Sequence, residues 1–103
     1  MHDLSRYARQ VVFPGIGEDG QRRLLAARVT IVGVGATGTV LANNLARAGV
    51  GALRLVDRDY VEWHNLQRQT LFGEAEARAG IPKAIAAAEH LRRVNSEIAI
   101  EPV

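Results

Sequence analysis

The chain has 103 residues, 48% hydrophobic and 23% charged, which suits one small domain of ordinary globular composition. Its 13 basic and 11 acidic residues leave a formal charge of +2, too small to argue for a nucleic-acid or anionic-membrane partner. Cysteine is absent, which excludes disulfides, thiolate zinc sites and a cysteine nucleophile within these residues and suits a cytoplasmic setting.

Residues 1–17 begin polar, with no charged stretch leading into an apolar core, so no signal peptide is expected. They end in Val11-Val12-Phe13-Pro14-Gly15-Ile16-Gly17, whose Pro and Gly predict an irregular arm or turn. Residues 19–26 read as a short helix with Leu24 and Leu25 on its buried side. Val29-Thr30-Ile31-Val32 is a β-branched run, as in a buried parallel strand, and Gly33-Val34-Gly35-Ala36-Thr37-Gly38 follows at once. Residues 37–48 predict a helix with Leu41, Leu45 and Ala48 at helical spacing and Gly49 as its stop. Ala52 to Val56 read as a second strand, ended by Asp57.

Residues 58–82 keep no regular period and read as a long loop with short helical turns; a loop of that length in a small domain points to function. Residues 83–94 give the strongest helical pattern, with Ala84, Ala87, Ala88 and Leu91 on one face. Residues 97–103 alternate as a further strand. Strand–helix–strand–loop–helix–strand implies right-handed crossovers and an α/β fold, a Rossmann-like parallel sheet with flanking helices. With only about three strands, against five or six in doubly wound sheets, the sheet is expected to be incomplete: a fragment, half of an assembly, or a domain completed by a partner.

Gly33-x-Gly35-x-x-Gly38 lies between a strand and a helix, the context this pattern needs. The first glycine permits a tight turn, the second leaves room for a pyrophosphate, and the third lets helix and strand pack closely. Amides at the helix start then face the phosphates with partial positive charge. Asp57, about twenty residues beyond the turn, can accept hydrogen bonds from ribose hydroxyls, whether the ligand is NAD or ATP. The next segment, Asp57-Arg58-Asp59-Tyr60-Val61-Glu62-Trp63-His64-Asn65-Leu66-Gln67-Arg68-Gln69, is dense in polar groups, more than a dinucleotide site explains. Asn65, Arg68, Gln69 and Lys83 offer the cationic and amide donors a triphosphate needs. Lys83 opens a helix against the helix dipole, a local cost that marks a functional position. Trp63 reads as a loop-packing aromatic, and His2, His64 and His90 lack metal-ligand spacing and read as surface or packing residues.

Several segments together resemble the ThiF/MoeB/HesA family of ubiquitin-activating-enzyme-like adenylyltransferases. They are Arg6-Tyr7-Ala8-Arg9-Gln10, Gly20-Gln21, Ala27-Arg28-Val29, the glycine turn, Arg47-Ala48-Gly49-Val50-Gly51, Asp57-Arg58-Asp59, Asn65-Leu66-Gln67-Arg68-Gln69, Gly80-Ile81-Pro82-Lys83-Ala84 and Asn95. The resemblance implies that residues 1–103 are the N-terminal part of an ATP-binding adenylyltransferase domain, with 1–26 as an N-terminal arm and helix. It implies ATP-dependent adenylylation of the C-terminal glycine of a ubiquitin-like sulfur carrier of the ThiS/MoaD type, by a homodimer. Gly33, Gly35, Ala36 and Gly38 would line the phosphates and adenosine, and Asp57 would hold the ribose. Asn65, Arg68 and Lys83 would contact phosphates, with Asp59 and Gln69 beside them. Arg9 matches the family arginine that reaches into the neighbouring subunit's site. The partner's carboxylate attacks the α-phosphate and pyrophosphate leaves. Arg68, Lys83, Arg9 and Mg²⁺ offset the charge that builds on the phosphate oxygens.

Ala36 stands where many members carry another glycine, and the segment between Arg68 and Lys83 is slightly long. The family's Asp-x-x-Asp-Asn motif, which serves Mg²⁺ and ATP, does not occur in these residues. The main Mg²⁺ ligand is therefore expected outside them, no metal ligand is assigned within them, and alone they are expected to be inactive. Two other readings stay open at this point: an NAD-binding module of an oxidoreductase, and a non-catalytic truncated module that dimerises.

Overall fold

A computed structural model describes residues 3–103, so His2 lies outside the described residues. The strands are β1 (Arg28–Val32), β2 (Ala52–Val56) and β3 (Ala99–Pro102), parallel and in the order β1-β2-β3. The helices are α1 (Ala8–Val11), α2 (Gly17–Ala26), α3 (Ala36–Ala48), α4 (Glu74–Ala79) and α5 (Lys83–Val94), with 3₁₀ turns at Ser5–Tyr7 and Trp63–Asn65. The third strand is shorter than the alternation in residues 97–103 suggests, because pairing begins only at Ala99, opposite Ala52.

Register explains the core. Val29, Leu53 and Ile100 lie side by side, as do Ile31 and Leu55, and α3 and α5 cover this face. The residues between them, Arg28, Thr30, Val32, Arg54 and Glu101, face the other way and are exposed. Val32 is 81% exposed, so β1 is not the doubly buried strand its β-branched run suggests. A groove of about 440 Å³ runs over this open face, where Arg54 pairs with Glu101 across the ladder at 3.3 Å.

The buried stripe of α3 also differs from the sequence reading. Gly38, Thr39, Ala42 and Ala46 face the sheet, Leu41 is 48% exposed, and Leu45 and Ala48 are half-buried. The helix approaches the sheet so closely that only small residues fit. A methyl group on Gly38 would sit 1.8 Å from the carbonyl oxygen of Gly33. In α2 the fully buried residue is Gln21, while Leu24 and Leu25 are half-buried.

The turn expected at the end of the arm is present between α1 and α2, and the residues before it are helical, held by a polar clamp to the C-terminal ends of α3 and α5. Asn95, 1% exposed, donates to the Tyr7 hydroxyl at 3.0 Å and to the Ala46 carbonyl at 2.9 Å. Its side-chain oxygen accepts from Arg6 at 2.6 Å and from the Glu97 amide at 3.1 Å. Gln10 and Gln21 both donate to the Ala48 carbonyl, at 3.0 and 2.9 Å, and Gln10 also donates to the Gln21 side-chain oxygen. The two donations to Ala48 satisfy a carbonyl that the end of α3 would otherwise leave unpaired, while the Ala46 carbonyl also accepts the Gly49 amide at 3.2 Å. Asn95→Leu removes four bonds of a buried amide, leaving the Arg6 guanidinium and the Tyr7 hydroxyl without that partner, and is expected to cost about 3 kcal/mol, whereas Tyr7→Phe removes one bond and costs about 1 kcal/mol. Urea unfolding of the two variants checks the order; equal midpoints would reject it.

Residues 58–82 hold the two short helical pieces expected of them, anchored by buried Val61, Leu71, Phe72 and Ala77. An antiparallel bridge between Tyr60 and Pro82 brings the segment back beside its own start. Trp63 is 53% exposed, with the Arg78 guanidinium 5.7 Å from its ring centre. Among the described residues no helix is long and apolar enough to cross a membrane.

Candidate functional site

The glycine turn leaves β1 at its C-terminal end, next to the C-terminal end of β2. The Gly33 amide extends the ladder by one bond, donating to the Val56 carbonyl at 2.8 Å. Gly33 has φ +94°, a conformation that side chains disfavour, and it swings the chain into α3. At Gly35 neither reason for glycine applies: φ is −104°, and an added methyl would meet its nearest neighbour, Gln69 Nε2, at an ordinary 3.6 Å. The open space there lies at the start of α3, where the first amides of a helix have no partner inside it. That space can take an anion.

Asp57 closes the turn from the side. One carboxylate oxygen accepts the Val34 amide at 2.8 Å and the other accepts the Asp59 amide, also at 2.8 Å. The carboxylate thus ties β2's end to the glycine turn. Each oxygen keeps lone-pair capacity for a further donor, such as a sugar hydroxyl. The Asp59 carbonyl then accepts the Lys83 amide at 2.9 Å, which seats the start of α5 against the same corner.

Lys83 is 7% exposed. Among the described residues its amine has no carboxylate in ion-pair contact and no side-chain hydrogen bond. Gln69 is 3% exposed, its amide nitrogen faces Gly35, and its side-chain oxygen is buried without a hydrogen-bond partner. Among the described residues the Gln69 side-chain oxygen is thus a fully buried polar atom left unpaired, and the Lys83 amine has no side-chain partner.

The other residues expected at the site are placed differently. Asn65 is buried, and its side-chain oxygen accepts the Glu62 amide at 2.8 Å, closing the turn at Trp63–Asn65. Arg68 is exposed and donates to the His64 carbonyl at 3.0 Å, so its guanidinium rests on its own turn. His64 in turn lies 2.6 Å from the Glu62 carboxylate. Arg9 is not brought to the site: its neighbours Tyr7 and Gln10 are fixed at the C-terminal end of α3, about 18 Å from the glycine turn at 1.5 Å per helical residue. Of the Arg6-Tyr7-Ala8-Arg9-Gln10 segment, Arg6, Tyr7 and Gln10 have structural bonds, while Arg9 is exposed and without a side-chain hydrogen bond among the described residues.

Sequence reasoning missed Thr39, fully buried one helical turn after Gly35. The only sequence signal was a small polar residue on the core side of the first turn, which is easily read as packing. Among the described residues no group of three or more metal-ligating side chains gathers.

A sequence model of the ThiF family matches residues 7–103. The chain is 52% identical over 93 residues to the sulfur carrier protein ThiS adenylyltransferase of Bacillus subtilis, covering 90% of this chain and 28% of that protein. It is 46% identical over 101 residues to the molybdopterin-synthase adenylyltransferase of Escherichia coli, covering 98% of this chain and 40% of that protein. Among solved structures, E. coli MccB with ATP superposes with a TM-score of 0.88 at 32% identity, over 98% of this chain and 30% of that one. The chain thus spans well under half the length of these relatives, within the part that holds the glycine turn, and with the family's pattern over nearly all of its residues it belongs to the ThiF family.

Proposed function

We propose that this chain supplies the nucleotide-binding part of an enzyme that uses ATP to adenylylate the C-terminal glycine of a ubiquitin-like sulfur carrier of the ThiS/MoaD type. The observation that carries the reading is Lys83. Its side chain is largely buried and its amine has no carboxylate in ion-pair contact among the described residues, so the amine is free to pair with an incoming phosphate. The site supports a triphosphate in its other parts too: free space at Gly35, the amides at the start of α3, and the Gln69 amide nitrogen that faces Gly35. The relatives' names, adenylyltransferases for ThiS and for molybdopterin synthase, point to the same chemistry.

In this reading residues 1–103 form the N-terminal part of the domain, residues 1–26 being its arm and first helix. Gly33, Gly35, Ala36 and Gly38 receive the phosphates, Asp57 the ribose, and Lys83 and Gln69 the phosphate oxygens, with Asp59 holding α5 in place. Asn65 and Arg68 stand on the same segment, and Arg68 reaches the substrate by leaving the His64 carbonyl. Carboxylate attack on the α-phosphate expels pyrophosphate, and the cations stabilise the charge that develops. Mg²⁺ would accompany ATP, with its main protein ligand outside these residues. Arg9, one α3 length away from its own turn, acts at the site of a second copy in a homodimer. The cytosol is the compartment in which such an enzyme meets ATP.

Calorimetric titration of the purified protein tests this directly. ATP with Mg²⁺ is expected to bind in the micromolar to millimolar range and NAD not at all. Binding of NAD without ATP would favour the oxidoreductase reading, and binding of neither would favour a non-catalytic module. For the complete enzyme the matching readout is ATP–pyrophosphate exchange that depends on a partner ending in Gly-Gly.

A further inference from the structure

Thr39 has no exposed surface, and its hydroxyl joins two parts of the site that are distant in sequence. It donates to the Gly35 carbonyl at 2.6 Å, with the Ala36 carbonyl at 3.4 Å, and it accepts the Thr70 amide at 3.3 Å. A hydroxyl has one hydrogen and two lone pairs, so both bonds form at once. The donation alone is ordinary, since threonine often bonds to the carbonyl one turn back in a helix. The acceptance is not local: Thr70 lies 31 residues further along and is contiguous with Arg68 and Gln69.

Resting on the nucleotide reading above, we propose that Thr39 is a positioning residue that sets the anion-receiving amides and the Arg68-Gln69-Thr70 segment at one fixed separation. The Gly35 carbonyl accepts from both the amide and the hydroxyl of Thr39. In a planar trans peptide the Ala36 amide must then point the opposite way, out of the helix start and toward the open space. The bond to Thr70 fixes the other wall, the one that carries the Gln69 amide facing Gly35. Phosphates between the two walls therefore meet donors whose spacing one oxygen atom sets. Adenosine, which has no phosphate, does not sense that spacing.

The test compares wild type, Thr39→Val and Thr39→Ser, titrated with ATP and separately with adenosine. Valine keeps the shape and loses the hydroxyl; serine keeps the hydroxyl. Thr39→Val is expected to weaken ATP about tenfold, the worth of one hydrogen bond, and to leave adenosine unchanged. Thr39→Ser is expected to restore ATP affinity. Amide hydrogen exchange in the unliganded protein should show faster exchange at Thr70 in the valine variant only. Equal ATP affinity in wild type and Thr39→Val overturns the inference alone. So does an equal loss for ATP and adenosine, which would mean general loosening. A wild type that binds no ATP overturns the nucleotide reading and this inference with it. If Thr39→Val does not fold, Thr39→Ser and Thr39→Ala carry the comparison: ATP weakened in both to the same degree rejects a role for the hydroxyl.

Discussion

Gly38→Ala is expected to leave a protein that melts at least about 12 °C below wild type, or one that does not fold at all. The added carbon would sit 1.8 Å from the Gly33 carbonyl oxygen and 2.8 Å from its carbon. Both atoms are backbone, fixed by the ladder bond from the Gly33 amide to Val56, so no side chain can swing aside. Relief requires α3 to move off the sheet, which opens the contact of Ala42 and Ala46 with the core. Overpacking of this kind costs about 3 kcal/mol or more. In a domain of this size each kcal/mol shifts the melting temperature by about 4–8 °C. Gly35→Ala is the matched control, because its methyl would stand at an ordinary 3.6 Å from Gln69. Melting followed by circular dichroism decides the point, and a Gly38→Ala protein within a few degrees of wild type would show that α3 is less tightly seated than described.

Lys83→Met is expected to lower function while leaving stability nearly unchanged. Methionine fills most of the lysine's volume without placing an amine in a site that is 7% exposed. The swap roughly conserves volume and the amine has no bond to lose, so stability is expected to change by less than about 1.5 kcal/mol. ATP affinity is expected to fall about a hundredfold, since a charge-assisted bond to phosphate contributes about 1.5–3 kcal/mol. Thermal melting and calorimetry on the same preparation separate the two effects. A variant that is both less stable and unchanged in ATP affinity would assign Lys83 to the core and remove the main support for a triphosphate site.

Local chemistry made the strands, the glycine turn and α5 readable. A β-branched run, glycines at fixed offsets and an alanine-rich face act within a few residues, so their signals survive without tertiary context. The turn over residues 11–17 was readable from its Pro and Gly, but the helical turns of residues 5–11 were not, because what holds them is remote: Tyr7 is bonded to Asn95 and Gln10 to Ala48. The face of α3 was misread for a related reason. A search for large apolar residues selects Leu41, but a helix this close to its sheet selects Gly38, Thr39, Ala42 and Ala46. At the site, the glycines and Asp57 follow from spacing, and the structure links them through the Val34 amide. Nothing in the sequence indicates that the side-chain oxygen of Asn65 closes its own turn, that the Arg68 guanidinium rests on His64, or that Thr39 reaches Thr70, since each depends on how residues 58–82 fold back.

The bond from Asn95 to Tyr7, across 88 residues, also dictates an order of events during synthesis. The first helical turn leaves the ribosome well before the residue that fastens it. At about 5–20 residues per second it waits on the order of ten seconds. Through that interval the tyrosine ring stays open to chaperones and proteases, and its part of the arm settles only when Asn95 arrives.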